Sequence, residues 1–120
     1  MDGMLKEQLL RDLSNPTEFN NAIKAIADRF GIAAQLDQTV EEAAELIQAI
    51  NKYKRATLNG ITPNKEKWAK CRENMIEETA DLQVMIFQLQ YLLDFDIEDM
   101  AFGKVARQLK RIEDENGKPN

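Results

Sequence analysis

Apolar positions along this chain recur three and four residues apart, and no stretch of useful length alternates with period two. That pattern predicts helices and no sheet. Met4, Leu5, Leu9, Leu10 and Leu13 make a short apolar-rich segment over 4–13, a helix expected to fray. Asn15-Pro16-Thr17-Glu18 reads as a helix start, and Phe19, Ala22, Ile23, Ile26, Ala27 and Phe30 follow as one stripe ended by Gly31. A further helix is predicted from Thr39 to about Leu58, its stripe Val40, Ala43, Ile47 and Ile50 with Leu46 and Tyr53 alongside. The cluster Asn59-Gly60-Ile61-Thr62-Pro63-Asn64 ends it, and Pro63 suits the first turn of the next helix. That helix is predicted over 65–93, with Cys71, Met75, Leu82, Met85, Leu89 and Leu92 on one face. Asp94-Phe95-Asp96 breaks it and caps a last helix from Ile97 to about Glu115, leaving 116–120 as a flexible tail. The expected fold is all-α: an antiparallel helical bundle of three long helices plus one or two shorter ones. It forms one domain over 1–120, with 1–16 peripheral.

Composition narrows what such a bundle can do. A chain of 120 residues holds one domain, and a core of that size gains from oligomerisation. The net charge of −5 argues against nucleic acid or an anionic membrane as partner, while a small anionic substrate stays open if local cations recruit it. Cys71 is a lone cysteine, read as a small buried apolar residue, so no internal disulfide forms. No run is long enough to span a membrane and the N-terminus has no signal-peptide core, which makes the cytoplasm the default compartment. The chain has no histidine. The usual general base, the usual zinc ligand and every Ser-His or Cys-His arrangement are therefore excluded.

Against that background the acidic residues stand out. The 39–58 helix carries Glu41-Glu42-Ala43-Ala44-Glu45 and the 65–93 helix carries Glu77-Glu78-Thr79-Ala80-Asp81. Glu42 and Glu45, like Glu78 and Asp81, are three apart and project from one face. Glu78 falls between Met75, Leu82, Met85 and Leu89, in the middle of an apolar face. A buried carboxylate is normally paired, neutralised or bound to metal. Glu45 lies about 13 residues, or ~20 Å, from the end of its helix, and Glu78 about as far from the start of the next. A short turn between them puts both acidic pairs at one level. Each acid alone has an ordinary explanation. Thr39-x-x-Glu42 is a capping box, Glu45 can be solvated, and Glu78 and Asp81 can pair with a buried arginine. Two pairs at matched depth point instead to a divalent cation between them. Oxygen donors alone favour Mg²⁺ or Mn²⁺, and the missing histidine rules out a ferritin-like di-iron site.

Lys104, Arg107 and Arg111 lie within a ~60° arc of the last helix, read as abutting Met100 and Ile97 beside the buried stripe. Cations so placed suit a polyphosphate, although a helix C-terminus, Glu113 or Asp114 can also engage them. Trp68 and Phe30 are read as core or dimer interface more readily than as stacking partners for a base.

With these residues in place, the chain resembles the all-α nucleoside triphosphate pyrophosphohydrolase superfamily, which holds MazG-like proteins, dimeric dUTPases, dCTP pyrophosphatases and phosphoribosyl-ATP pyrophosphohydrolase. Its signature is Glu-Glu-x-x-Glu followed by Glu-x-x-Asp on the next helix, matched by Glu41–Glu45 and Glu78–Asp81. The resemblance covers roughly 17–112. It implies Mg²⁺ held by Glu42, Glu45, Glu78 and Asp81, with Glu41 or Glu45 positioning or deprotonating the attacking water. It further implies phosphate binding by Lys104, Arg107 and Arg111, and a homodimer or dimer of dimers. The implied reaction splits a nucleoside triphosphate into monophosphate and pyrophosphate. Two departures are visible: 32 residues separate Glu45 from Glu78, more than usual, and the Lys-Phe-x-x-Arg run of MazG-like members survives only as Phe102-Gly103-Lys104-Val105-Ala106-Arg107. The alternatives are a non-catalytic helical interaction protein and a phosphoribosyl-ATP pyrophosphohydrolase-like enzyme.

Overall fold

A computed structural model describes residues 3–57 and 64–117, the side chain of Met4 excepted. The expected turn residues Asn59 to Pro63 and the tail residues 118–120 lie outside the described residues. Five helices follow in order: α1 (Gly3–Leu13), α2 (Pro16–Phe30), α3 (Ile32–Thr57), α4 (Lys65–Leu92) and α5 (Glu98–Asn116). No strand occurs among the described residues, and no helix is long and apolar enough to cross a membrane. The chain is an all-α bundle.

The helix boundaries rest on local chemistry. The Asn15 side chain accepts hydrogen bonds from the amides of Thr17 and Glu18 at 2.9 and 3.3 Å, and Pro16 fills the first turn of α2. Asn64 caps α4 in the same way through Glu66 and Lys67. Gly31 ends α2 with φ +86, a left-handed backbone that suits glycine. Asp94 (φ 54) turns the chain after α4, and the Asp96 carboxylate then accepts the Glu98 amide at the start of α5, as the Asp-Phe-Asp motif predicts.

One boundary differs from expectation. The chain is helical again from Ile32, seven residues before Thr39. Thr39 is mid-helix, its hydroxyl donating to the Gln35 carbonyl at 2.6 Å, so it caps nothing. The capping-box explanation of Glu42 falls with it.

The scaffold of the bundle is the antiparallel pair α3 and α4. Gln35 meets Gln88, Glu45 meets Glu78 and Tyr53 meets Trp68, numbers that rise along one helix as they fall along the other. α2 crosses this pair, with Phe19 edge-on to Phe87 at 5.7 Å and the Tyr91 hydroxyl donating to the Asp28 carboxylate at 2.8 Å. That hydrogen bond, with partial desolvation and the negative charge of Asp28, raises the Tyr91 pKa above the ordinary phenol value. α1 packs on α2. The buried hydrophobic residues are Ile23, Ala27, Ala49 and Met85, and the alanines let the helices approach closely.

Two expected apolar faces are corrected. On α3 the residues turned toward α4 are Gln35, Glu42, Leu46, Ala49 and Tyr53, whereas Val40 is 71% exposed and Ile47 61%. Ile50, Ile26 and Phe30 are exposed as well. On α5, at about 100° per residue, the apolar arc is Ala101, Phe102, Val105, Leu109 and Ile112, and Met100 lies among the cations on the other side. Arg107 and Arg111 therefore face away from the apolar stripe, and Lys104 flanks it. No residue of α5 is buried, and α5 packs against no other helix among the described residues.

Candidate metal centre

The heptad spacing of Gln35, Glu42 and Ala49 keeps all three on the side of α3 that meets α4. On α4, Glu78 shares its face with Cys71, Met85 and Leu92, each half-buried or buried, and Asp81 lies one turn on. Opposed in antiparallel register, these positions bring one carboxylate oxygen each of Glu42, Glu78 and Asp81 within 4.8 Å of one another. Glu42 and Glu78 are half-buried, and Asp81 is exposed. Glu45 is exposed beside the group, close enough to Glu78 to raise its pKa.

The inner oxygens are the informative ones. The Gln38 side-chain amide donates to Glu42 Oε1 at 2.8 Å, fixing that carboxylate. Glu42 Oε2 and Glu78 Oε2 are buried and accept no hydrogen bond. Neither oxygen has an arginine or lysine partner among the described residues, which leaves the buried-arginine alternative without support at Glu78. Unpaired carboxylate oxygens out of water carry a desolvation cost that a cation removes. Three or four oxygen donors of this kind fit a hard divalent ion.

Electrostatics point the same way. Desolvation raises the Glu78 pKa above the ordinary glutamate value, and the shared hydrogen bond with Glu45 and the charges of Glu45, Asp81 and Glu42 raise it further. The folded chain therefore binds this proton more tightly than the unfolded chain, so the raised pKa adds stability at low pH that is lost as pH rises through it. In chelator-containing buffer, Glu78→Gln is expected to be the more stable protein at neutral pH. That advantage should shrink as pH falls toward the ordinary glutamate range, as thermal unfolding midpoints of both proteins across pH will show.

Not every residue expected at the site arrives there. Glu41 is exposed, one residue and so about 100° round α3 from Glu42, and is not among the carboxylates that meet. Lys104, Arg107 and Arg111 are exposed on α5 and do not reach the cluster within one chain. Trp68 is half-buried beside Tyr53, with ring centroids 6.5 Å apart, and Cys71 is a half-buried free thiol. Sequence reasoning missed Gln38, which orients Glu42, and the buried Gln35–Gln88 pair beyond it. Their signal was the seven-residue spacing of Gln35 from Glu42 and of Gln88 from Asp81. Comparison of the chain with protein-family models, with curated proteins and with solved structures finds no match.

Proposed function

We propose that this chain is a Mg²⁺-dependent nucleoside triphosphate pyrophosphohydrolase, able to use Mn²⁺, that acts in the cytoplasm as a homodimer or dimer of dimers. The observation that carries the reading is that Glu42 and Glu78, whose carboxylates meet that of Asp81 from two helices, each keep a buried oxygen without a hydrogen-bond partner. Glu42, Glu78 and Asp81 are the ligands, with Glu45 closing the set. A bound divalent ion supplies charge neutralisation for the phosphates and a lowered pKa for a coordinated water. Gln38 holds Glu42 Oε1, leaving Oε2 to the site. The role of orienting the attacking water and accepting its proton falls to the Glu45 carboxylate, which is exposed and adjacent, and not to Glu41, which is turned away. Lys104, Arg107 and Arg111 remain the candidate phosphate contacts, and within one chain they stand apart from the carboxylates.

Pyrophosphate release measured over all NTPs and dNTPs, with phosphoribosyl-ATP included, tests the reading. Turnover of at least one nucleotide with Mg²⁺ is expected, with loss on chelation and recovery on adding Mn²⁺. Phosphoribosyl-ATP as sole substrate would move the assignment to that branch of the reaction class. The apolar stripes exposed on α3 and α5 favour a second reading, a non-catalytic helical interaction protein. Calorimetry that finds no metal-dependent binding of a non-hydrolysable nucleotide would select it.

A further inference from the structure

The surface of the chain is too large for a protein that ends at its own boundary. It exposes 9827 Å², against about 6,600 Å² for a compact protein of 13.8 kDa. Its radius of gyration is 19.2 Å, against about 14 Å for a compact chain of this length. The excess of about 3,000 Å² per chain, or about 6,000 Å² for a pair, is ample for the roughly 2,000–5,000 Å² that obligate interfaces bury in total.

Two apolar stripes account for much of it. On α3, Ile32, Leu36, Val40 and Ile47 run along one side, about 100° round the helix from the face that meets α4. On α5, Phe102, Val105, Leu109 and Ile112 form a second stripe on a helix that packs against no other helix among the described residues. The direction of α5 is fixed at its root. The Phe95 amide donates to the Gln90 carbonyl at 3.0 Å, and the Ile97 amide to Gln90 Oε1 at 3.1 Å. α5 thus leaves the bundle along a hydrogen-bonded junction.

We propose that α5 of each protomer docks along the Ile32–Ile47 stripe of α3 in a second copy of this chain, reciprocally, to form a closed two-fold dimer. One exchange covers both unpartnered faces on both chains and leaves neither stripe open, which a different partner protein on either face alone does not achieve. The inference rests on the self-association proposed above and is independent of hydrolysis.

Sedimentation velocity on the full chain tests it. The native protein is expected to be dimeric at micromolar concentration. Leu109→Glu on α5 and Val40→Glu on α3 should each weaken the dimer at least about 30-fold. Both residues are exposed in the protomer, so helicity by circular dichroism should be unchanged. Mixing the two variants should restore a dimer through the one interface that keeps an intact α5 and an intact α3. A monomeric native chain, a Leu109→Glu dimer of native affinity, or two monomeric variants that fail to complement would each overturn the proposal. Mg²⁺ binding by the monomeric variants reports on the carboxylate site separately.

Discussion

Replacing Glu78 by glutamine is expected to cut pyrophosphate release by at least about 100-fold while raising the thermal midpoint of the metal-free protein. The two effects have one cause. Glu78 contributes a buried, unpartnered oxygen to a cluster whose other members are all acidic. Glutamine keeps the length and one carbonyl oxygen but removes the charge, relieving repulsion with Glu45, Asp81 and Glu42 and weakening any cation between them. Changes to outer-shell partners of metal ligands already cost 10–100-fold, so loss of a direct ligand should cost at least the upper figure. Circular dichroism and Mn²⁺ binding are the controls. An unfolded variant would make Glu78 a structural residue, and unaltered ion affinity would remove it from the ligand set.

The largest stability effect should come from Gln88→Leu. Gln88 is 2% exposed and accepts the Gln35 side-chain amide at 2.6 Å across the α3–α4 seam. Leucine fills similar space but strands the Gln35 donor in an apolar setting, a loss of about 1–3 kcal/mol. The double change Gln35→Leu with Gln88→Leu removes donor and acceptor together and should recover most of that loss. Urea unfolding of both single variants and the double decides the matter. Additive losses would show that the two residues are not coupled, each contributing through its own packing and not through the hydrogen bond.

The carboxylate cluster was legible because α4 is strongly patterned. Cys71, Met75, Leu82, Met85, Leu89 and Leu92 all lie on its buried or half-buried side, so an acid in their midst was conspicuous. The caps at Asn15 and Asn64 and the Asp96 turn that leads into α5 were legible because each is a short-range interaction between neighbours in sequence. α3 misled for a physical reason. It has two candidate faces, and the more hydrophobic one is exposed, while the buried one carries Gln35, Glu42 and Ala49. Periodicity ranks faces by apolarity and holds no information about which neighbour packs there. The failure on α5 is of the same kind. Its amphipathic pattern is real, but no other helix among the described residues packs against it.

The arrangement of the four acids also sets how the proposed ion would arrive. Glu42 and Glu78 each keep an oxygen out of solvent, while Asp81 and Glu45 stand in it. All four sit far from the ends of two long helices, where fraying does not reach. A divalent ion bound as proposed would therefore meet a wet rim before a dry floor and would shed its hydration shell in stages. Its affinity would then belong to the floor, and the speed of loading and release to the rim.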